Sequence, residues 1–186
     1  MPRSDRRRKK YCPGSLSAGA RRGRPGIRTE DEEQHMAFEL TLNRLLDAPA
    51  DKLFRLWTAP SRMNEWFCPK PWTVSKAELD VRPGGACNIT MQGPNGEVMP
   101  NPGQYLEIVP NRKIVFTDAF TGDWQPRDGA PFMVATITFE PEGGKTRYTA
   151  TVRHWSEQDR KKHEEMGFYP GWGQCADQLE ALAKTI

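Results

Sequence analysis

Apolar residues change their spacing several times along the chain, and each change marks an element. From Phe38 to Leu46 the order Phe-Glu-Leu-Thr-Leu-Asn-Arg-Leu-Leu places Phe38, Leu40 and Leu42 at period two, the mark of a half-buried strand. Asp47-Ala48-Pro49 follows as a candidate N-cap with a proline for the first turn. Leu53, Leu56 and Trp57 then form an i, i+3, i+4 stripe that stops at Pro60. Ser61 is placed to cap a second, shorter helix carrying Trp66 and Phe67. After Pro69 strand patterning returns in Thr73–Leu79, Ala86–Gln92, Val98–Val109 and Lys113–Ala119. The connections Pro83-Gly84-Gly85, Gly93-Pro94-Asn95-Gly96 and Pro110-Asn111 are short and turn-forming, so these strands pair as antiparallel hairpins.

A longer polar connection from Gly122 to Pro131 carries Trp124. Met133–Phe139 and Arg147–Val152 make a last hairpin about Gly143-Gly144. Ser156 and Asp159 resemble a capping box, and a polar helical stretch runs from them to Met166. Gly167 and Tyr169-Pro170-Gly171 interrupt it. Trp172, Cys175, Leu179, Leu182 and Ile186 then form one apolar stripe at helical spacing. The order is strand, two short helices, six strands and a long helix. That predicts an α+β fold in which a curved seven-stranded antiparallel sheet wraps around the C-terminal helix. A curved sheet gripping a helix leaves a pocket between them unless large side chains fill it.

Charge divides the 186 residues unevenly. Residues 1–35 hold 10 Lys and Arg against 5 Asp and Glu, whereas residues 36–186 hold 17 against 19, so the basicity belongs to the tail. Only Tyr11 of the 18 aromatic residues precedes Met36. The first segment buries too little apolar surface to offset chain entropy and is expected to be disordered, with Met36 as a candidate biological start. Residues 36–186 form the folded domain. No apolar run is long enough for a membrane span, and the stretch Cys12–Ala20 is too polar for a signal peptide, so a cytoplasmic protein is expected. The four cysteines have no C-x-x-C pair, and with the histidines they show no metal-ligand spacing. Neither cofactor nor metal is expected, and the basic tail without interleaved aromatics gives no case for nucleic acid.

Several segments together resemble a known family. They are Trp57-Thr-Ala-Pro-Ser-Arg-Met-Asn-Glu-Trp66-Phe67, Trp72-Thr-Val, Asp80-Val-Arg-Pro-Gly-Gly85, Gly103-Gln-Tyr-Leu-Glu-Ile108, Ile114-Val-Phe-Thr-Asp118 and Gly167-Phe-Tyr-Pro-Gly-Trp172. From about Phe38 to Ile186 the chain is similar to homologues of the activator of the heat-shock-protein-90 ATPase, within the START-like, birch-pollen-allergen-like helix-grip superfamily. The resemblance implies the sheet-around-helix fold, with the two short helices closing one end. It also implies a superfamily of lipid carriers, hormone receptors, cyclases and co-chaperone modules, so fold alone does not select a function.

Large apolar side chains supply the strongest functional signal. Phe67, Trp72, Met91, Tyr105, Phe116, Phe120, Trp124, Phe132, Trp155, Met166, Phe168 and Trp172 are candidates to line a ligand cavity or, alternatively, to fill the core. Phe120 and Trp124 flank the polar connection and are candidate gate residues. For acid–base chemistry the candidates are Asp118, in phase with Ile114 and Phe116, and His154, on the face of Tyr148, Ala150 and Val152. An arginine such as Arg82, Arg112 or Arg153 is the competing partner for Asp118. Glu107 alternates with Leu106 and Ile108 and is expected to face solvent. The reading that follows is a binding protein for a small hydrophobic or lipid-like ligand held between sheet and helix. A cyclase- or dehydratase-like enzyme using the same cavity, and a module acting on a heat-shock-protein-90 ATPase as chaperone partner, are the alternatives.

Overall fold

The computed structural model describes residues 38–186; the basic segment 1–35 and the candidate start at Met36 lie outside them. The elements are β1 (Glu39–Leu46), α1 (Ala50–Trp57), a 3-10 helix (Pro60–Glu65), β2 (Thr73–Leu79), β3 (Cys87–Gln92), β4 (Val98–Asn101), β5 (Gln104–Val109), β6 (Lys113–Thr117), β7 (Met133–Glu142), β8 (Lys145–His154), α2 (Glu157–Glu165) and α3 (Phe168–Ala183). All strand pairs are antiparallel, in a five-stranded sheet ordered β1-β8-β7-β6-β5 and a three-stranded sheet ordered β2-β3-β4. The α+β class is as the hydrophobic pattern predicts.

One expected strand is two. Val98–Val109 breaks at Pro102-Gly103, so that β4 pairs with β3 while β5 pairs with β6. Proline has no N–H for the ladder, and a Cβ on Gly103 would lie 2.8 Å from Thr117 O and 3.2 Å from Cys87 O. The seven expected strands thereby become eight, and the chain passes from one sheet to the other at this corner. Backbone bonds stitch the seam: Cys87 N to Gly103 O at 2.8 Å, Tyr105 N to Gly85 O at 2.9 Å and Gly84 N to Tyr105 O at 2.8 Å. Register shifts at Val74/Lys76 and Tyr105/Glu107 add the local twist that curves the sheets.

The helical caps differ from the expectation at three places. Pro49, not Asp47, occupies the N-cap of α1 and offers no side-chain acceptor. Asp47 is instead an ion-pair partner of Lys184, at 3.3 Å. The second short helix is a 3-10 helix that begins with Pro60, whose fixed φ suits a first helical position, and Ser61 does not cap it. Tyr169-Pro170-Gly171 does not interrupt a helix but forms the first turn of α3, where a missing N–H costs no helical bond. The break itself is at Gly167, with φ 94°. Ser156 does cap α2, its Oγ accepting from Asp159 N at 3.1 Å.

The core lies where β1, β7 and β8 face α1 and α3. Leu40, Leu46, Leu53, Leu56, Ile137, Phe139, Ala150, Val152 and Leu179 are each no more than 2% exposed. The face of α3 in the core is Phe168, Ala176, Leu179 and Ala183, with Trp172, Cys175, Leu182 and Ile186 half-buried beside it. Small Ala176 and Ala183 let the helix approach the sheet closely, and at Gly173 a Cβ would stand 3.0 Å from Arg44 Nη2 of β1. No helix among the described residues is long and apolar enough to cross a membrane.

Candidate functional site

The connection between the 3-10 helix and β2 is fastened to α3 by main-chain carbonyls. Gln178 Nε2 donates to Trp66 O at 2.9 Å and to Cys68 O at 2.8 Å, and Cys175 Sγ donates to Phe67 O at 3.1 Å. Carbonyls only accept, so these contacts fix the carboxamide orientation and leave Gln178 Oε1 as a buried acceptor with no partner among the described residues. Next to this connection lies a cleft of about 310 Å³ lined by Asn64, Glu65, Cys68, Lys70, Pro71, Trp72, Thr73 and Gln178. Its size is at the lower end for small-molecule sites. Asn64 steadies the rim, its Oδ1 accepting from Val74 N at 3.1 Å.

Behind the connection sits an aromatic cluster. The ring of Trp57 is 4.9 Å from Trp66, 5.9 Å from Phe67 and 6.1 Å from Phe116, mostly tilted or edge-on. Trp57 and Trp66 are 5% and 2% exposed, yet neither indole N–H has a partner among the described residues. Two unpaired donors and one unpaired acceptor are costly in such surroundings, at about 1–3 kcal/mol each. Burial also pushes the Cys68 thiol up to about 11 and the Cys175 thiol up to about 12, the neighbouring Cys68 adding to the latter. Both sulfurs are therefore neutral, weakly nucleophilic groups.

The other residues singled out from the sequence fall into separate places. Trp72 lines the cleft, and Phe67 and Phe116 belong to the cluster behind it. Phe132, Phe168 and Trp172 surround a histidine pair at the far end of β8, where His154 Nε2 is 2.9 Å from His163 Nδ1. Phe120 and Trp124 stack edge-on at 5.9 Å, with Trp124 54% exposed. Tyr105 is fully buried, and burial raises its hydroxyl far above its ordinary range. Met91 packs half-buried at the margin of the core. Trp155 and Met166 are 51% and 63% exposed, so they line no interior cavity, because each lies at an end of the solvent-facing helix α2.

Asp118 faces the loop that follows it. Its carboxylate accepts from Phe132 N at 2.9 Å and Met133 N at 3.0 Å and pairs with Arg127 at 3.2 Å, so its partner is none of Arg82, Arg112 and Arg153. Arg82 pairs with Asp80 and Asp123, and Arg153 with Glu39. Glu107 faces solvent as its parity predicts and pairs with Lys113. Trp57, Trp66, Asn64, Cys68 and Gln178 are not among the site candidates that the sequence offers. A signal for Gln178 was present: it is an uncharged amide spaced i+3 from Cys175 on the half-buried edge of an apolar helix.

Comparison with known proteins agrees with this architecture. A structure from Nitrosomonas europaea is 40% identical with a TM-score of 0.77, covering 80% of this chain and 96% of its own. One from Mycobacterium smegmatis shares the fold at 23% identity and TM-score 0.68, over 80% of this chain and 91% of its own. An AHSA1-like protein from Aeromonas hydrophila does so at 14% identity and TM-score 0.63, over 77% and 93%. Among curated proteins there is no match. The model of the family described as "Activator of Hsp90 ATPase homolog 1-like protein" matches residues 47–184, from the residue after β1 to the residue after α3, and the chain belongs to that family.

Proposed function

We propose that the protein binds a small, mainly apolar molecule in the cleft between the Glu65–Thr73 connection and α3. The observation that carries this reading is the Gln178 carboxamide, its Nε2 held by two carbonyls and its buried Oε1 without a partner among the described residues, in the wall of a cleft whose apolar side is Trp72 and Pro71. Such a site pairs an apolar wall with a few placed polar groups, which is the ordinary composition of a small-molecule pocket. The position differs from the sheet-to-helix cavity expected from the sequence.

Incubation of the purified chain with a lipid extract, followed by mass spectrometry of the bound fraction, tests the reading. Enrichment of a defined apolar species, lost at least tenfold in Trp72→Ala, is expected. Equal recovery from the wild type and an unrelated control protein would sink it. The family description favours a second reading, modulation of a heat-shock-protein-90 ATPase. A stimulated ATPase rate in a reconstituted assay, unaffected by Trp72→Ala, would select that reading over the first.

A further inference from the structure

Phe38, His154 and His163 form a chain of hydrogen bonds across the end of the sheet. His154 Nδ1 lies 3.0 Å from Phe38 O; a carbonyl only accepts, so Nδ1 carries the proton and Nε2 is the lone pair. His163 Nδ1, 2.9 Å from that lone pair, must then donate, which leaves His163 Nε2 as the basic nitrogen. Around His163 stand Phe168 at 5.1 Å, Phe132 at 5.4 Å and Trp172 at 6.1 Å. The pair thus joins the residue before β1, β8, α2 and the start of α3.

Several charged groups on these elements pair with one another, and Glu165, at the end of α2, is exposed. On α2, Arg160 pairs with Glu157 and Glu164, Asp159 is bonded to Ser156, and Lys162 Nζ sits 5.8 Å from the Phe132 ring. Across β8 and β1, Arg153 pairs with Glu39 at 2.9 Å. The segment before β7 presents Phe132, whose N–H is held by Asp118, and α3 presents the phenol Tyr169 beside Phe168. Among the described residues no carboxylate forms an ion pair with either imidazole.

We propose that His154 and His163 are a pH-sensitive latch that docks α2 and the start of α3 onto the end of β8, closed while both rings are neutral and released by protonation. A first proton on His163 Nε2 preserves its donation to His154 but puts a charge among aromatic rings without a counter-ion. A second proton, on His154 Nε2, would set two N–H donors against each other. Release returns both rings to water, where either charge is solvated. Burial, with His154 adding to it, lowers His163 from its ordinary 6.5 to about 4. A base lowered in the closed state holds that state fully above about pH 6.5 and gives it up as pH falls toward 4.

Amide hydrogen exchange of the full chain, corrected for intrinsic rates, reads the latch directly. Between pH 7.5 and pH 5 the opening of Glu157–Glu165 is expected to become on the order of tenfold more frequent, while β7 and β8 change little. In His163→Asn, which keeps a donor toward His154 and removes the His163 titration, that pH dependence should shrink severalfold. The same dependence in the variant, or an even loss across β7 and β8, would overturn the proposal. Should the variant not fold, imidazole nitrogen shifts of the wild type decide: an Nε2–H tautomer at His163, or a midpoint at or above 6.5, refutes the latch, and an Nδ1–H tautomer titrating well below it supports the latch.

Discussion

At the scale of single residues, the interior combines large rings with polar atoms that have no partner. Trp66 is 2% exposed and its N–H is unpaired. Removing the whole ring is therefore expected to cost about 3–5 kcal/mol, whereas Trp66→Phe removes the orphan donor with a smaller cavity and should cost about 1–2 kcal/mol in urea melts. Trp172 is only half-buried, packed at 5.1 Å on Phe168, so Trp172→Ala should lose less than Trp66→Ala. Cys68 at about 11, Cys87 at about 11 and Cys175 at about 12 are protonated at neutral pH because burial disfavours the thiolate. Alkylation of the native chain at pH 8 should accordingly be at least tenfold slower than in denaturant, read by mass spectrometry of the labelled peptides.

Between elements, irregular segments are held as firmly as the ladders beside them. The β6–β7 connection contains three successive residues at positive φ, Gly122 at 112°, Asp123 at 47° and Trp124 at 60°. A two-residue non-glycine excursion of this kind persists only where the surroundings enforce it. Here Trp124 N donates to buried Gln104 Oε1 at 2.7 Å, Asp123 N to Gly84 O at 2.7 Å, and the Trp124 indole covers Gly84. The far end of the same connection depends on Asp118 and its bonds to Phe132 N, Met133 N and Arg127. Asp118→Ala leaves those amides without an acceptor. It should cost about 1–3 kcal/mol and open residues 119–131 to limited proteolysis, with β8 protection unchanged. Proteolysis no faster than in the wild type would show that the Gln104 and Gly84 contacts suffice.

For the whole molecule, two sheets meet at the Pro102-Gly103 corner and α3 closes the assembly by gripping the Trp66–Cys68 carbonyls. The cleft rests on that grip, so the proposed ligand binding depends on the packing of α3. A molecule that fills the cleft should raise the Tm, by linkage, in proportion to the logarithm of its concentration above the Kd. The shift should disappear in Trp72→Ala, as read by thermal denaturation at several concentrations.

Period-two and period-three-to-four patterns determined the elements, their order and the α+β class, because alternation and helical spacing are local consequences of which face is buried. The capping serine of α2 and the outward parity of Glu107 were legible for the same reason. Tertiary structure alone decided the rest. The break of Val98–Val109 follows from close approach of Gly103 to Thr117 and Cys87, strands distant in sequence. Asp118 has the phase of an inward residue, but it lies just past the last residue of β6, where alternation no longer governs and the returning chain supplies its partners. Apart from Phe120 and Trp124 on the polar connection, nothing in the sequence ranks the twelve aromatic and methionine candidates. The folded chain assigns one to the cleft wall and others to the core, the histidine pair or solvent, because burial is settled by which distant segments arrive on each face, not by hydrophobicity alone.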